Sequence, residues 1–304
     1  SLWLERIMNV LAFVIFLAFW KVDSLHTSFP SHAIPSLLIR ERRHFLSTAI
    51  QVPFIFFTQS RSVGAIESSE GSLLTAENVA DLLRGIPTFS IVDPKGIPYV
   101  VVGEDAKITG YFFTTFGEAD RILRLARSSA EKSLRQAKVD GQLEKEASNP
   151  WKAARISSVP LDFAVTLTTK STQGAYFKVV PSEKDIYDTL QITGKSEIAE
   201  GKVPLFYFKD FVVVNQDGKQ ERRLYFQKSQ LLKDWKARNK GVELPKLQVT
   251  ELFRVLTKMV EAGGTDQDLK DVIFVAPEDS QIKAKICNQV NELPFQLGQR
   301  IVVL

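Results

Sequence analysis

The chain has 304 residues, 44% of them hydrophobic and 24% charged, which is the composition of a globular protein with room for one or two cores. Its formal charge of +4 resides mostly in residues 1–65: setting aside six basic and three acidic residues there leaves 33 Lys and Arg against 32 Asp and Glu. A near-neutral body has no electrostatic footprint for nucleic acid. His26, His32 and His44 all precede residue 66 and Cys287 is the single cysteine, which excludes Ser-His-Asp and Cys-His catalysis, a four-ligand Cys/His zinc site and an intramolecular disulfide within residues 66–304.

Residues 1–65 read as a targeting leader in three segments. Met8 reads as the initiator, and the apolar run from Val10 to Trp20 follows it. Eleven residues at 1.5 Å each fall short of a bilayer of ~30 Å, so the run suits a signal-peptide core better than a membrane anchor. Ser28 to Arg43 is rich in Ser, Pro and His with a single acid, a transit-peptide composition, and Phe29 stands near its start. This junction resembles the signal–transit boundary of red-lineage complex plastids. Arg42-Arg43, then Phe45-Leu46, a mild apolar stretch and small residues up to Ala65 resemble a twin-arginine signal. That places the protein in the thylakoid lumen, with an envelope intermembrane space as the alternative.

Residues 66–304 form the folded part, with a helix expected over Leu74 to Leu83 and then two similar halves, about 85–190 and 201–304. Gly85-Ile86-Pro87-Thr88-Phe89 opens one and Gly201-Lys202-Val203-Pro204-Leu205-Phe206 the other. Each continues through a hairpin, around Asp93-Pro94-Lys95-Gly96 or Asn215-Gln216-Asp217-Gly218, to an aromatic strand, Tyr111-Phe112-Phe113 or Tyr225-Phe226-Gln227. A helix follows, long and charged from Gly117 to Glu146 in the first half and shorter from Ser229 to Arg238 in the second. Further on, Asp162 and Glu251 sit at matching helix starts, where capping is expected rather than acid–base catalysis. Tyr176-Phe177-Lys178-Val179-Val180-Pro181 matches Ile273-Phe274-Val275-Ala276-Pro277, each followed by an acidic helix start. Ile282, Ile286 and Val290 share a helical face around Cys287, which predicts a buried structural thiol. The expected fold class is α+β, two similar strand-helix halves related by a pseudo-twofold axis.

The ordered set of Gly-Ile-Pro-x-Phe, Val-Pro-Leu-Asp, Phe-Lys-Val-Val-Pro, Val-Pro-Leu-Phe, Leu-Tyr-Phe-Gln-Lys and Val-Ile-Phe-Val-Ala-Pro, across residues 84–280, resembles the twenty-two-kilodalton Tic family, soluble components of the chloroplast envelope translocon. The resemblance implies a two-winged fold with apolar grooves and a non-enzymatic, chaperone-like role toward preproteins, without cofactor or metal. The charged segment from Glu131 to Trp151 departs from that family, and its run of alternating charge from Glu131 to Glu146 reads as a solvated helix face. A lumenal assembly factor or extrinsic photosystem-associated protein is the alternative. Partners are precursor proteins or a membrane-protein complex, with neither nucleic acid nor a small-molecule substrate indicated, and the mature form does not span a membrane. Phe89, Phe112, Phe177, Phe206, Phe208, Phe226 and Phe274 are the candidates for a partner-binding groove, and strand alternation equally allows them to fill the cores.

Overall fold

A computed structural model describes residues 75–102, 107–141, 147–170, 175–261, 269, 271–289, 294–296 and 301–303. The targeting residues Phe29, Arg42, Arg43 and Ala65 lie outside the described residues, as does Val290. The first half runs α1 (Ala76–Arg84), β1 (Pro87–Val92), β2 (Tyr99–Val102), β3 (Ile108–Phe113), α2 (Phe116–Val139), β4 (Arg155–Pro160), α3 (Leu161–Thr169), β5 (Ala175–Val180) and α4 (Glu183–Thr193). The second runs β6 (Pro204–Phe208), β7 (Val212–Val214), β8 (Gln220–Tyr225), α5 (Lys228–Arg238), β9 (Leu247–Glu251), α6 (Leu252–Glu261), β10 (Val272–Val275), α7 (Glu278–Gln289) and β11 (Ile301–Val303). The fold is α+β, two mixed, largely antiparallel sheets with seven described helices.

Strand pairing is the same in both halves. β3 takes β5 in parallel along one edge, while β2 and β1 share its other edge. β8 takes β10 in parallel along one edge, while β7 and β6 share the other. β1 pairs antiparallel with β4, and β6 with β9. The register fixes the correspondence. Phe89 faces Phe113 as Phe206 faces Tyr225, and Leu161 and Leu252 each donate a backbone N–H at the helix start, to Ile86 and Val203. On this register α2 and α5 begin at matching positions, as do α3 and α6, and α4 and α7.

The register also moves three sequence matches. Asp93 and Asn215 head turns of one geometry: each side-chain oxygen accepts two backbone N–H bonds and each turn closes at a glycine of positive φ, 84° at Gly96 and 77° at Gly218. Yet the first joins β1 to β2 and the second joins β7 to β8, so the Asn215 turn corresponds to the connection between β2 and β3 instead. An Asx turn is a local solution that any tight hairpin accepts, so its residues carry no information about which hairpin it closes. Val179 rather than Phe177 corresponds to Phe274, and Pro160 rather than Asp162 to Glu251. Glu251 does cap, accepting from Phe253 N (3.0 Å) and Arg254 N (2.8 Å). Asp162 lies inside the first turn, with Oδ2 3.6 Å from Arg84 Nε and a buried Oδ1 that meets no donor among the described residues.

Side-chain caps start the main helices: Thr75 on Asn78 N (3.2 Å), Thr115 on Glu118 N (3.2 Å) and Ser182 on Asp185 N (3.1 Å). α2 ends at Val139, earlier than its charged run predicts. The helices then cross over between halves. α4 follows the first-half strand β5 but packs on β6 and β9, and α7 follows β10 but packs on β1, β4 and α2. Cross-half bonds accompany the exchange: Phe116 N donates to Ser280 Oγ (3.4 Å), and Lys228 pairs with Asp188 (2.8 Å). One core is built from both halves, including Phe112, Phe177 and Val179 with Leu205, Phe226 and Phe274. Two smaller cores belong to single sheets, around Phe89 and around Phe206. On α7 the buried face carries Ser280 and Ala284, whereas Ile282 and Ile286 are exposed and Cys287 is half-buried. The expected buried thiol face is thus turned by the packing of Ser280 and Ala284 against the first sheet.

Candidate partner-binding site

None of the seven candidate groove aromatics reaches the surface. Phe89, Phe112 and Phe206 are wholly buried, and Phe177, Phe208, Phe226 and Phe274 are no more than 6% exposed. Phe112 stacks on Phe177 with centroids 5.4 Å apart in the shared core, and Phe208 meets Trp235 at 5.2 Å in the second-half core. The groove expected on these residues is therefore interior. Inward-facing positions on strands covered by helices on that face are filled by aromatics before any remain for a groove.

The apolar surface lies elsewhere. Phe163, Tyr176, Tyr187, Val212, Val214, Ile282 and Ile286 are exposed large hydrophobics. Of these, Phe163 contacts Phe295 at 6.1 Å, and Phe295 in turn lies 5.6 Å from Phe112, so the segment 294–296 seals the shared core from above. Tyr176 lies under Lys107 Nζ, 5.5 Å from its ring centre. Val212 and Val214 stand side by side on β7, which among the described residues pairs only with β8. The run Val212-Val213-Val214 is apolar on both faces of a strand, a pattern that buried strands share, so the sequence alone does not mark it as an edge.

A cleft of 540 Å³ opens where β3 and β5 end and α2 and α4 begin, lined by Thr115, Gly117, Glu118, Arg121, Ser182, Glu183, Lys184 and Tyr187. Five of its lining side chains bond within the protein. Arg121 holds Glu118 at 2.5 Å and Glu183 at 3.6 Å, and Thr115 and Ser182 each accept one backbone N–H at the two helix starts. At the matching place in the second half Lys233 holds Glu278 at 2.6 Å. The Arg121–Glu183 and Lys233–Glu278 pairs join neighbouring helices, whereas Arg121–Glu118 lies within α2. Behind the cleft, burial pushes the Asp185 carboxyl up to about 7, against the opposing hydrogen bond from Ser182 Oγ at 2.5 Å. Burial, then the charge of Asp234 bonded at 3.0 Å, raises the Tyr225 phenol well above its ordinary value. Among the described residues no group of three His, Cys, Asp or Glu is placed to hold a metal ion, and no helix is long and apolar enough to cross a membrane.

The protein-family signature described as the Tic22-like family matches residues 33–286. The chain belongs to the Tic22-like family. The match begins inside the stretch read as leader and ends within α7, so β11 lies beyond it. Solved structures of the family share the fold. Tic22 from Plasmodium falciparum is 21% identical with a TM-score of 0.50, covering 69% of this chain and 97% of its own. Anabaena Tic22, described as a protein of protein transport, is 16% identical with a TM-score of 0.50, covering 70% of this chain and 97% of its own. No curated protein matches the chain. Family membership associates the chain with plastid protein import.

Proposed function

We propose that the protein handles extended or unfolded polypeptides during plastid protein import, as a non-enzymatic, chaperone-like component. The family match over residues 33–286 carries this reading. It is supported by a body without histidine and by a cleft in which Arg121, Glu118 and Glu183 are paired with one another. The two halves are read as repeats about a pseudo-twofold axis, on the strength of their common strand order. The leader over residues 1–65 is read as delivering the protein to the thylakoid lumen through Arg42-Arg43, with the envelope intermembrane space as its alternative address.

Site-specific crosslinking in isolated plastids during import of a labelled precursor tests the role. Adducts between this protein and the precursor in transit are expected. Adducts confined to assembled photosystem subunits would replace the import role with that of a lumenal assembly factor. Changing both Arg42 and Arg43 to Lys keeps charge but removes the planar donor fork, and should stall a lumen-bound protein in the stroma.

A further inference from the structure

We propose that the outer edge of β7 is a strand-addition site for an extended, β-branched segment of a client polypeptide, seated parallel to β7. This rests on the polypeptide-handling role above and gives it a location. The matching edge of the first half shows the occupant's form. Val100 of β2 faces Gly110 as Val212 of β7 faces Arg222, so β2 and β7 are equivalent. β2 does not end in solvent: the chain's own β11 runs parallel along it, with Ile301 opposite Tyr99, Val302 opposite Val100 and Val303 opposite Val101. Among the described residues no strand lies along β7 in the same way.

The backbone of β7 is poised for such pairing. Arg222 spends its N–H on Asp271 at 2.7 Å, toward β10, so its pair with Val212 is the kind that exchanges no hydrogen bond. Val212, and Val214 two residues on, therefore direct N–H and C=O away from β8. Their side chains share one face, 38% and 61% exposed, while Val213 is buried beneath. Exposed edges are ordinarily protected by Lys, Pro, a bulge or a covering element. β7 carries no Pro or charge, and its three valines suit a pleated partner strand. Main-chain bonds supply affinity in such additions and alternate side chains supply selectivity.

The probe is a fluorescent synthetic peptide of residues 297–304, which contains the Ile301–Val303 strand that already pairs with the matching edge, titrated onto the full chain. Val214→Pro removes one outward N–H and leaves the ladder to β8 intact, while Val214→Thr keeps the donor and the branched shape. Val214→Pro should weaken peptide binding about tenfold or more, and Val214→Thr should bind like the parent, with all three proteins melting together. In disulfide trapping, Val214→Cys should capture a peptide with Cys at the position of Leu304 and not one with Cys at its first residue. Equal binding by Val214→Pro, or trapping at both peptide ends alike, overturns the proposal. A reduced, carboxymethylated protein separates the two levels. If it binds the parent and Val214→Pro equally, the edge falls and the polypeptide-handling role stands. If it fails to bind while the peptide binds at Val214, the role falls and the edge stands.

Discussion

The two halves share a strand order and differ at their outer edges and in their first long helices. β2 is covered by β11, whereas β7 is bare among the described residues. α2 spans 24 residues and buries a ladder of alanines, Ala119, Ala126, Ala130 and Ala137, while α5 spans 11 and anchors through Leu231 and Trp235. Gly110 in β3 makes room for the Phe177 ring; a Cβ there would sit 2.6 Å from it. The matching residues, Arg222 and Val272, need no such arrangement. Asp185 is buried in the first half where the second has Ser280, also buried. One set of pairings thus supports two ways of filling the space, so variants at matched positions show which differences matter.

The largest effect is expected at the matched core positions Phe89 and Phe206. Truncating either to Ala should cost ~3–5 kcal/mol in chemical denaturation. The shared core should keep unfolding to one transition in both cases. Two separated transitions, with each variant moving one, would show halves that stand independently.

Asp185 sharpens the contrast through pH. Its carboxyl titrates at about 7 when folded, above the ordinary 3.8, so the folded state holds the proton more tightly than the unfolded chain. The contribution of Asp185 to stability is then full below pH ~4 and is lost as pH rises through 7, by on the order of 4 kcal/mol at most. Asp185→Asn should flatten this decline, and its advantage over the parent should open between those pH values in thermal melts. Parallel melting curves for parent and variant across that range would contradict it.

Gly110→Ala should destabilise by ~1–3 kcal/mol, since the Phe177 ring must move away from the new methyl group. Combining it with Phe177→Val, which copies the second half's Val272, should recover part of that loss. If the double variant is worse than the sum of its parts, the halves do not exchange packing solutions.

The smallest change is expected from the matched ion pairs. Lys233 is fully exposed, so Lys233→Ala should leave the melting midpoint within measurement error. Arg121, about a quarter exposed and bonded to a buried Glu118, should cost measurably more when changed to Ala. Equal costs would show that burial does not distinguish the two cleft positions.

The sequence by itself determined what depends on local chemistry and on order along the chain. Helix starts follow from capping residues such as Thr115 and Ser182, turns from Asp93 and Asn215, and the family from short blocks in a fixed succession. The absence of histidine from residues 66–304 also needed no structure. Tertiary structure decided which hairpin each turn closes, which of Phe177 and Val179 matches Phe274, and which apolar side chains see solvent. The reason is that an aromatic on a strand has the same identity whether a helix covers that face or water does. Here helices exchanged between halves cover the faces that carry Phe206 and Phe89, through α4 and α7. The surface left for a partner then falls to Val212 and Val214, along which no further strand lies among the described residues, a fact their own sequence does not carry.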